Sequence, residues 1–259
     1  MKFNKYQGAG NDFVIIDNRN QEWSLTAQQI EHICDRRFGI GADGLMLLEN
    51  ADGFDFRMVY YNSDGNESTM CGNGGRCIVK FAQSILGFQS NCRFIAVDGP
   101  HRAKINDDGS VSLEMIDVDQ VEAVGKDCYL NTGSPHYVQM VDDLAQLPII
   151  EKAHAIRYND RFKEKGTNVN FIQIDNGELN IRTYERGVED ETLACGTGVT
   201  AAAIAAHFLG LVEQDLIKVH AVGGDLNVNF VYQDGRYTSV YLQGPAEKVF
   251  EGEICLTTS

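Results

Sequence analysis

Two stretches of the chain place a cysteine directly before a glycine-rich turn and a run of apolar residues at helical spacing. Met70-Cys71-Gly72-Asn73-Gly74-Gly75-Arg76-Cys77 leads into Ile78-Val79-Lys80-Phe81-Ala82, and Ala194-Cys195-Gly196-Thr197-Gly198 leads into Val199-Thr200-Ala201-Ala202-Ala203. A thiol so placed sits at the mouth of a helix N-terminus, where unpaired backbone N–H groups and the positive end of the helix dipole collect. Such a place favours thiolate over thiol and binds anions such as a carboxylate. One thiolate and one thiol suit the inversion of a stereocentre that carries an acidic C–H. One group removes the proton from one face, the other delivers a proton to the opposite face, and neither a metal nor a cofactor is needed. The carbanion pushes negative charge onto its neighbouring carboxylate, where two helix N-termini would stabilise it. Keeping water from this acid–base pair calls for closure over the substrate.

The elements that must hold the two cysteines repeat along the chain. Cys71 and Cys195 stand 124 positions apart, and near the same offset Gly8-Ala9-Gly10-Asn11-Asp12-Phe13-Val14 faces Thr132-Gly133-Ser134-Pro135-His136-Tyr137-Val138. Phe56-Arg57-Met58-Val59-Tyr60 likewise faces Ile181-Arg182-Thr183-Tyr184, and the two cysteine helices end at Gly87 and Gly210. The economical explanation is an internal duplication into two α/β domains of one topology, 1–117 carrying Cys71 and 118–259 carrying Cys195, with the last strand a candidate to return to the first domain. If the domains face each other about a pseudo-two-fold axis, the thiols meet across one cleft.

Local patterns fill in the frame. Phe3 to Asp17 reads as strand, turn and strand, and Thr26-Ala27-Gln28-Gln29 opens a helix with a capping box that runs toward Phe38. Gly39-Ile40-Gly41-Ala42-Asp43-Gly44 is literally G-x-G-x-x-G, yet it follows a helix and opens the strand Leu45–Leu48, so it reads as a turn and not a dinucleotide site. Phe54 to Tyr61 reads as a strand, and Arg93 to Met115 as a hairpin turning at Asp107-Asp108-Gly109. Further hairpins are expected at Asp175-Asn176-Gly177 and Asp234-Gly235.

Composition excludes several classes. A formal net charge of −15 argues against a nucleic-acid partner, which needs a basic face. No run of about 18 apolar residues occurs, and the N-terminus lacks an apolar signal region, so a cytoplasmic protein without membrane contact is expected. The seven cysteines form no C-x-x-C pair, which speaks against a structural zinc site. Cys34, Cys77, Cys92, Cys128 and Cys255 read as small buried hydrophobes.

Taken together, the two cysteine motifs, Gly8-Ala9-Gly10-Asn11-Asp12-Phe13 and Tyr184-Glu185-Arg186-Gly187 resemble the diaminopimelate epimerase family, over a span from about Phe3 to Gly244-Pro245-Ala246. The resemblance implies two pseudo-symmetric α/β (α+β) domains of mostly antiparallel mixed sheet wrapped around a central helix. It implies cofactor-independent interconversion of LL- and meso-2,6-diaminopimelate on the lysine and peptidoglycan route, in a homodimer. By it, Cys71 and Cys195 are the acid–base pair, and Gly72, Asn73, Gly196 and Thr197 hold the reacting carboxylate. Asn11, Asn62, Asn168, Glu185 and Arg186 line the substrate site, with Arg186 on the distal carboxylate, and His136 and Glu185 help manage thiol protonation. Two residues depart from the family's pattern: Gly44, where many members carry Gln, and Ser134, where they carry Asn before Pro-His. The competing readings are a racemase of another amino acid, of the proline or hydroxyproline type, and a non-catalytic anion-binding module.

Overall fold

The computed structural model describes residues 1–175 and 177–256. Its chain divides into two compact units: Met1–Leu113 together with Gly244–Ser259, and Glu114–Gln243. The first unit runs β1 (Lys2–Gly8), β2 (Asn11–Asp17), α1 (Ala27–Cys34), β3 (Gly44–Glu49), β4 (Phe56–Asn62), β5 (Glu67–Ser68), α2 (Gly72–Leu86), β6 (Asn91–Ala96), β7 (Gly99–Ile105) and β8 (Val111–Glu114). The second runs β9 (Val121–Val124), β10 (Asp127–Asn131), β11 (Pro135–Met140), α3 (Ile149–Arg157), β12 (Asn168–Asp175), β13 (Glu178–Glu185), β14 (Asp190–Thr192), α4 (Gly196–Phe208), β15 (Leu216–Ala221), β16 (Gly224–Gln233) and β17 (Arg236–Gly244). The chain closes with β18 (Glu247–Glu253), which belongs to the first unit.

The two units share one topology. In the first, β1 and β2 are antiparallel, β2 and β3 parallel across α1, β3 and β4 antiparallel, and β4 lies parallel to β6 across α2. In the second, β10 and β11, β11 and β12 across α3, β12 and β13, and β13 and β15 across α4 repeat those relations in order. Even the outer strands correspond, since β18 pairs antiparallel with β1 and β9 pairs antiparallel with β10. The offset of 124 carries the starts of β2, β3 and α2 onto those of β11, β12 and α4. Gly44 and Asn168 therefore hold equivalent places.

Each unit has its cysteine helix at the centre. In α2 every residue from Gly72 to Val79 is buried, and α4 is buried from Val199 to Ala206. Helix α4 is apolar on all faces and must be enclosed, and the run Ala201-Ala202-Ala203 keeps it slim enough for strands to approach it closely. Strands β1, β2, β3, β7 and β18 pack on α2, and β10, β11, β12, β13, β15 and β16 on α4.

The last strand pairs within the first unit, β18 running along β1 from Lys2 with Glu253 to Gln7 with Glu247. Some local expectations are corrected by this arrangement. Helix α1 stops at Cys34, short of Phe38, because Asp35 turns extended and its carboxylate accepts the N–H groups of Arg37 and Phe38 at 2.7 Å each. Arg93–Met115 holds parts of three strands and not one hairpin, with an extra turn at Val97-Asp98 between β6 and β7. The Asp234-Gly235 turn is present with both residues at positive φ, as a two-residue hairpin requires. The turn expected at Asn176 lies outside the described residues. Among the described residues no helix is long and apolar enough to cross a membrane.

Candidate active site

In the first unit Cys71 is the N-cap of α2, with extended backbone and a side chain that does not cap the helix. The first helical bond runs from the Gly75 N–H to the Cys71 carbonyl at 2.6 Å, so Gly72, Asn73 and Gly74 form the opening turn, at the positive end of the helix dipole. Behind this turn lies a directed chain of hydrogen bonds. Arg76 Nη2 donates to Asn73 Oδ1 (2.8 Å), Asn73 Nδ2 to Asn11 Oδ1 (2.5 Å) and Asn11 Nδ2 to Asp43 Oδ2 (3.0 Å). A guanidinium only donates and a carboxylate only accepts, so the two charged ends set the orientation of both amides. Asn11 is thereby held with its oxygen on Asn73 and one amide hydrogen on Asp43. Arg76 is wholly buried, and its other partners are the carbonyls of Gly72 and Pro245.

The acid end of the chain is a charged cluster. Arg36 bridges Asp12 and Asp43 at 2.7 Å each, and Lys5 pairs with Asp12 at 2.8 Å while also donating to the Gly41 carbonyl. Burial raises the Asp12 carboxyl, but the hydrogen bonds and charges of Arg36 and Lys5 outweigh it and hold the group down to about 2. A carboxyl depressed in the folded state contributes stability that is full above its unfolded value near 4 and is lost as pH falls toward 2. Asp12→Asn is therefore expected to flatten the acid limb of the stability curve between about pH 4 and pH 2 in urea titrations. An unchanged acid limb would show that the cluster does not couple to folding.

Gly44 pairs with Asn62 across β3 and β4, and Asn62 is exposed at the end of β4. A Cβ on Gly44 would come within 2.6 Å of the Tyr61 carbonyl and 2.5 Å of the Tyr60 ring. The ring, set edge-on to Phe13 at 6.1 Å between centroids, fills the space that a side chain at position 44 would need. Gly44→Gln is thus expected to lower stability by about 1–3 kcal/mol through overpacking, measured by chemical unfolding.

In the second unit Cys195 is the N-cap of α4, again extended and not capping, and the Val199 N–H closes the first turn on the Cys195 carbonyl at 2.8 Å. Cys195 Sγ lies 3.4 Å from Thr197 Oγ1, and Thr197 Oγ1 lies 3.0 Å from His136 Nε2. His136 is wholly buried, with Asn170 Nδ2 3.0 Å from its other nitrogen, and burial pushes its pKa down to about 3. The Thr132 hydroxyl donates to the Thr197 carbonyl at 2.8 Å and steadies the turn.

Asn168 sits at the start of β12 with its polar atoms engaged. Its Nδ2 donates to Ser134 Oγ (3.0 Å) and the Pro135 carbonyl (3.1 Å), and its Oδ1 accepts the Arg186 N–H (2.8 Å). It thereby ties Ser134 and the backbone of Arg186 to one strand end. Arg186 is exposed, its Nη1 donating to the Lys165 carbonyl at 2.9 Å, and its stem crosses Gly166, where an added Cβ would lie 2.5 Å from the Arg186 Cδ. No carboxylate pairs with it among the described residues. Glu185, beside it at the end of β13, has a carboxyl raised by burial.

Each unit thus gathers one half of the expected set. Asn11, Gly72 and Asn73 lie with Cys71, and Asn62 stands at a strand end without a side-chain bond to them; in the second unit Thr197 and His136 are bonded in a chain to Cys195, Gly196 stands between Cys195 and Thr197, and Asn168 joins Ser134 to the backbone of Arg186, with Glu185 at the end of β13. Sequence reasoning passed over Asn170, Asp43, Arg36 and the burial of Arg76. Asn170 was open to detection, since it stands two residues from Asn168 and so on the same face of β12. Burial pushes the thiols of Cys34, Cys77 and Cys92 up to about 12 and that of Cys128 to about 11, consistent with inert packing, whereas Cys255 is exposed and not the buried hydrophobe expected.

Comparison with known proteins agrees with this geometry. Residues 3–121 and 128–249 match the family model for diaminopimelate epimerase. A diaminopimelate epimerase of Flavobacterium psychrophilum is 50% identical over 256 residues, covering 98% of this chain and 100% of that protein. One of Chlorobaculum tepidum is 45% identical, covering 96% and 99%. Among solved structures, a phenazine biosynthesis protein of the PhzF family from Bacillus anthracis superposes with a TM-score of 0.75 at 15% identity, covering 99% of each chain. A hydroxyproline epimerase from Agrobacterium vitis superposes at 0.68 and 16%, covering 98% of this chain and 90% of that one, so both share the fold. The family match over nearly the whole length, with a cysteine at the head of the central helix in each unit, establishes that the chain belongs to the diaminopimelate epimerase family of amino-acid epimerases.

Proposed function

We propose that the protein interconverts LL- and meso-2,6-diaminopimelate, as a step of lysine and peptidoglycan precursor synthesis, with Cys71 and Cys195 as its two acid–base groups and no cofactor. The observation that carries this reading is the equivalence of the two cysteines: each is the N-cap of the buried central helix of its unit, at matching points of a duplicated topology. A two-base inversion needs one thiolate to take the α-proton while the other thiol supplies a proton from the opposite face. In each unit the start of the buried helix, with the backbone N–H groups of Gly72 and Gly74 in one and of Gly196–Gly198 in the other, suits the α-carboxylate as negative charge develops on it. Asn11, held as an N–H donor, and the exposed guanidinium of Arg186 suit acidic groups of the substrate.

The test is α-proton exchange in D₂O followed by NMR, with LL-diaminopimelate, L-proline and L-lysine offered separately to the reduced protein. Deuterium entering diaminopimelate and neither of the others supports the assignment, while exchange into L-proline would move the substrate to the proline type. Arg186→Ala is expected to raise KM for diaminopimelate at least about tenfold with a smaller change in kcat, the pattern of a lost charge-assisted bond away from the reacting carbon. A kcat loss with unchanged KM would remove Arg186 from the distal carboxylate.

A further inference from the structure

We infer that His136 and Asn170 are positioning residues that commit the Thr197 hydroxyl to donating its proton to the Cys195 sulfur. The inference rests on Cys195 serving as an acid–base group, and it begins with the orientation of one amide. Asn170 Nδ2 lies 3.1 Å from the Tyr137 carbonyl, which only accepts, and Asn170 Oδ1 receives the Thr183 hydroxyl at 3.0 Å. The nitrogen side of the amide therefore faces Tyr137 and, with its second N–H, His136 Nδ1 at 3.0 Å. A nitrogen that accepts carries no proton, so the ring is neutral and its hydrogen is on Nε2. That N–H points to Thr197 Oγ1 at 3.0 Å. Asn168 Nδ2 stands 3.4 Å from the same Nε2, but both of its hydrogens go to Ser134 and Pro135, which leaves this approach a packing contact.

With its oxygen receiving from His136, Thr197 has its own hydrogen to give, and Cys195 Sγ lies 3.4 Å away. The opposite tautomer would reverse the wire, because an unprotonated Nε2 would take the Thr197 proton and leave the sulfur without that donor. Complete burial keeps His136 neutral, and its low pKa agrees. The neighbours on β12 and β13 that touch the ring's partners, Asn168, Asn170 and Thr183, carry no charge. The cation acting on the ring is Arg186, with Glu185 beside it, and its charge disfavours an imidazolium further. His136 is thus no proton carrier; it acts through Thr197 on the thiolate state of Cys195.

The duplication indicates that the fold itself does not demand this wire. An added Cβ on Gly74 would meet Met46 Cε, while one on Gly198 would meet Asn170 Oδ1. Met46 and Asn170 are separated by the same offset of 124, so the same packing position is apolar in one unit and polar in the other. An apolar side chain satisfies the architecture, and the polar one answers to the cysteine of its own unit.

The test uses the reduced, full-length protein without substrate, so its failure is distinguishable from failure of the epimerase assignment. Nitrogen-15 NMR of histidine-labelled protein, with His136 assigned by loss of its signals in His136→Gln, is expected to show Nε2 protonated and Nδ1 unprotonated, unchanged from pH 8 to pH 5. Asn170→Asp, which can only accept, should move a proton onto Nδ1. Alkylation of Cys195 by iodoacetamide at pH 7.5, read by peptide mass, should slow about tenfold in Thr197→Val, the effect of one hydrogen bond to a charged sulfur, and return to within about twofold in Thr197→Ser. A ring protonated on Nδ1, a titration near pH 6.5, or equal alkylation of the valine and serine variants would overturn the proposal.

Discussion

Replacing either Cys71 or Cys195 by serine is expected to lower epimerisation by about 10²–10⁴-fold, the range for loss of a positioned acid or base. The two variants should not fail alike. A two-base site meets LL-diaminopimelate with one thiol and meso-diaminopimelate with the other, because the α-proton lies on opposite faces of the carbon. With one thiol gone, the survivor can still exchange the proton of the isomer that faces it, without inversion. Each variant is therefore expected to retain deuterium incorporation for one isomer, and the preferred isomer should switch between Cys71→Ser and Cys195→Ser. Proton NMR in D₂O with each isomer separately measures this. The same preference in both variants, or unimpaired epimerisation in either, would sink the two-base reading. The helical N–H groups at Gly72–Gly74 and Gly196–Gly198 survive both substitutions, so carboxylate binding and KM should change far less than kcat.

The second large effect is expected from a single methyl group. Gly198→Ala would place a Cβ 2.6 Å from Asn170 Oδ1 and 3.3 Å from Thr183 Oγ1. Asn170 cannot swing aside without breaking its bonds to His136, Tyr137 and Thr183. The expected loss is about 1–3 kcal/mol of stability from overpacking, plus the energy of a buried amide left poorly bonded. Activity should drop with it, since the wire to Cys195 is disturbed. Gly74→Ala is the internal control: its Cβ meets Met46 Cε at 2.5 Å, the free end of a flexible side chain, with the Phe13 ring no nearer than 3.5 Å. Its cost is expected to stay below about 1 kcal/mol. Urea unfolding of both variants makes the comparison, and equal destabilisation would show that the two helix N-termini are packed alike.

What the sequence determined by itself was whatever depends on neighbours in the chain. A cysteine, a glycine turn and an apolar run define a helix start whatever surrounds it, and both α2 and α4 begin where the spacing places them. The single offset of 124 exposed the duplication because it preserves local pattern, and hydrophobic period and turn chemistry are local properties. For the same reason the G-x-G-x-x-G run could be dismissed, since its order relative to helix and strand is local too.

Only the tertiary structure decided which polar groups meet, and hence what each can do. Asn11 reaches Asp43 across 32 residues and Asn73 across 62, while His136 finds Asn170 34 residues on. Strand pairing brings such groups together, and no periodicity records the partner. Gly44 reads in the sequence as a missing side chain and in the fold as the space taken by Tyr60. In the fold the amide of Asn168 ties Ser134 to the backbone N–H of Arg186, partners that its place in the sequence does not record. β18 pairs with β1 across nearly the whole length of the chain. A buried donor or acceptor must be matched by a partner of opposite polarity. The amide orientations and the His136 tautomer follow from that demand, which arises once distant strands have closed around the central helices.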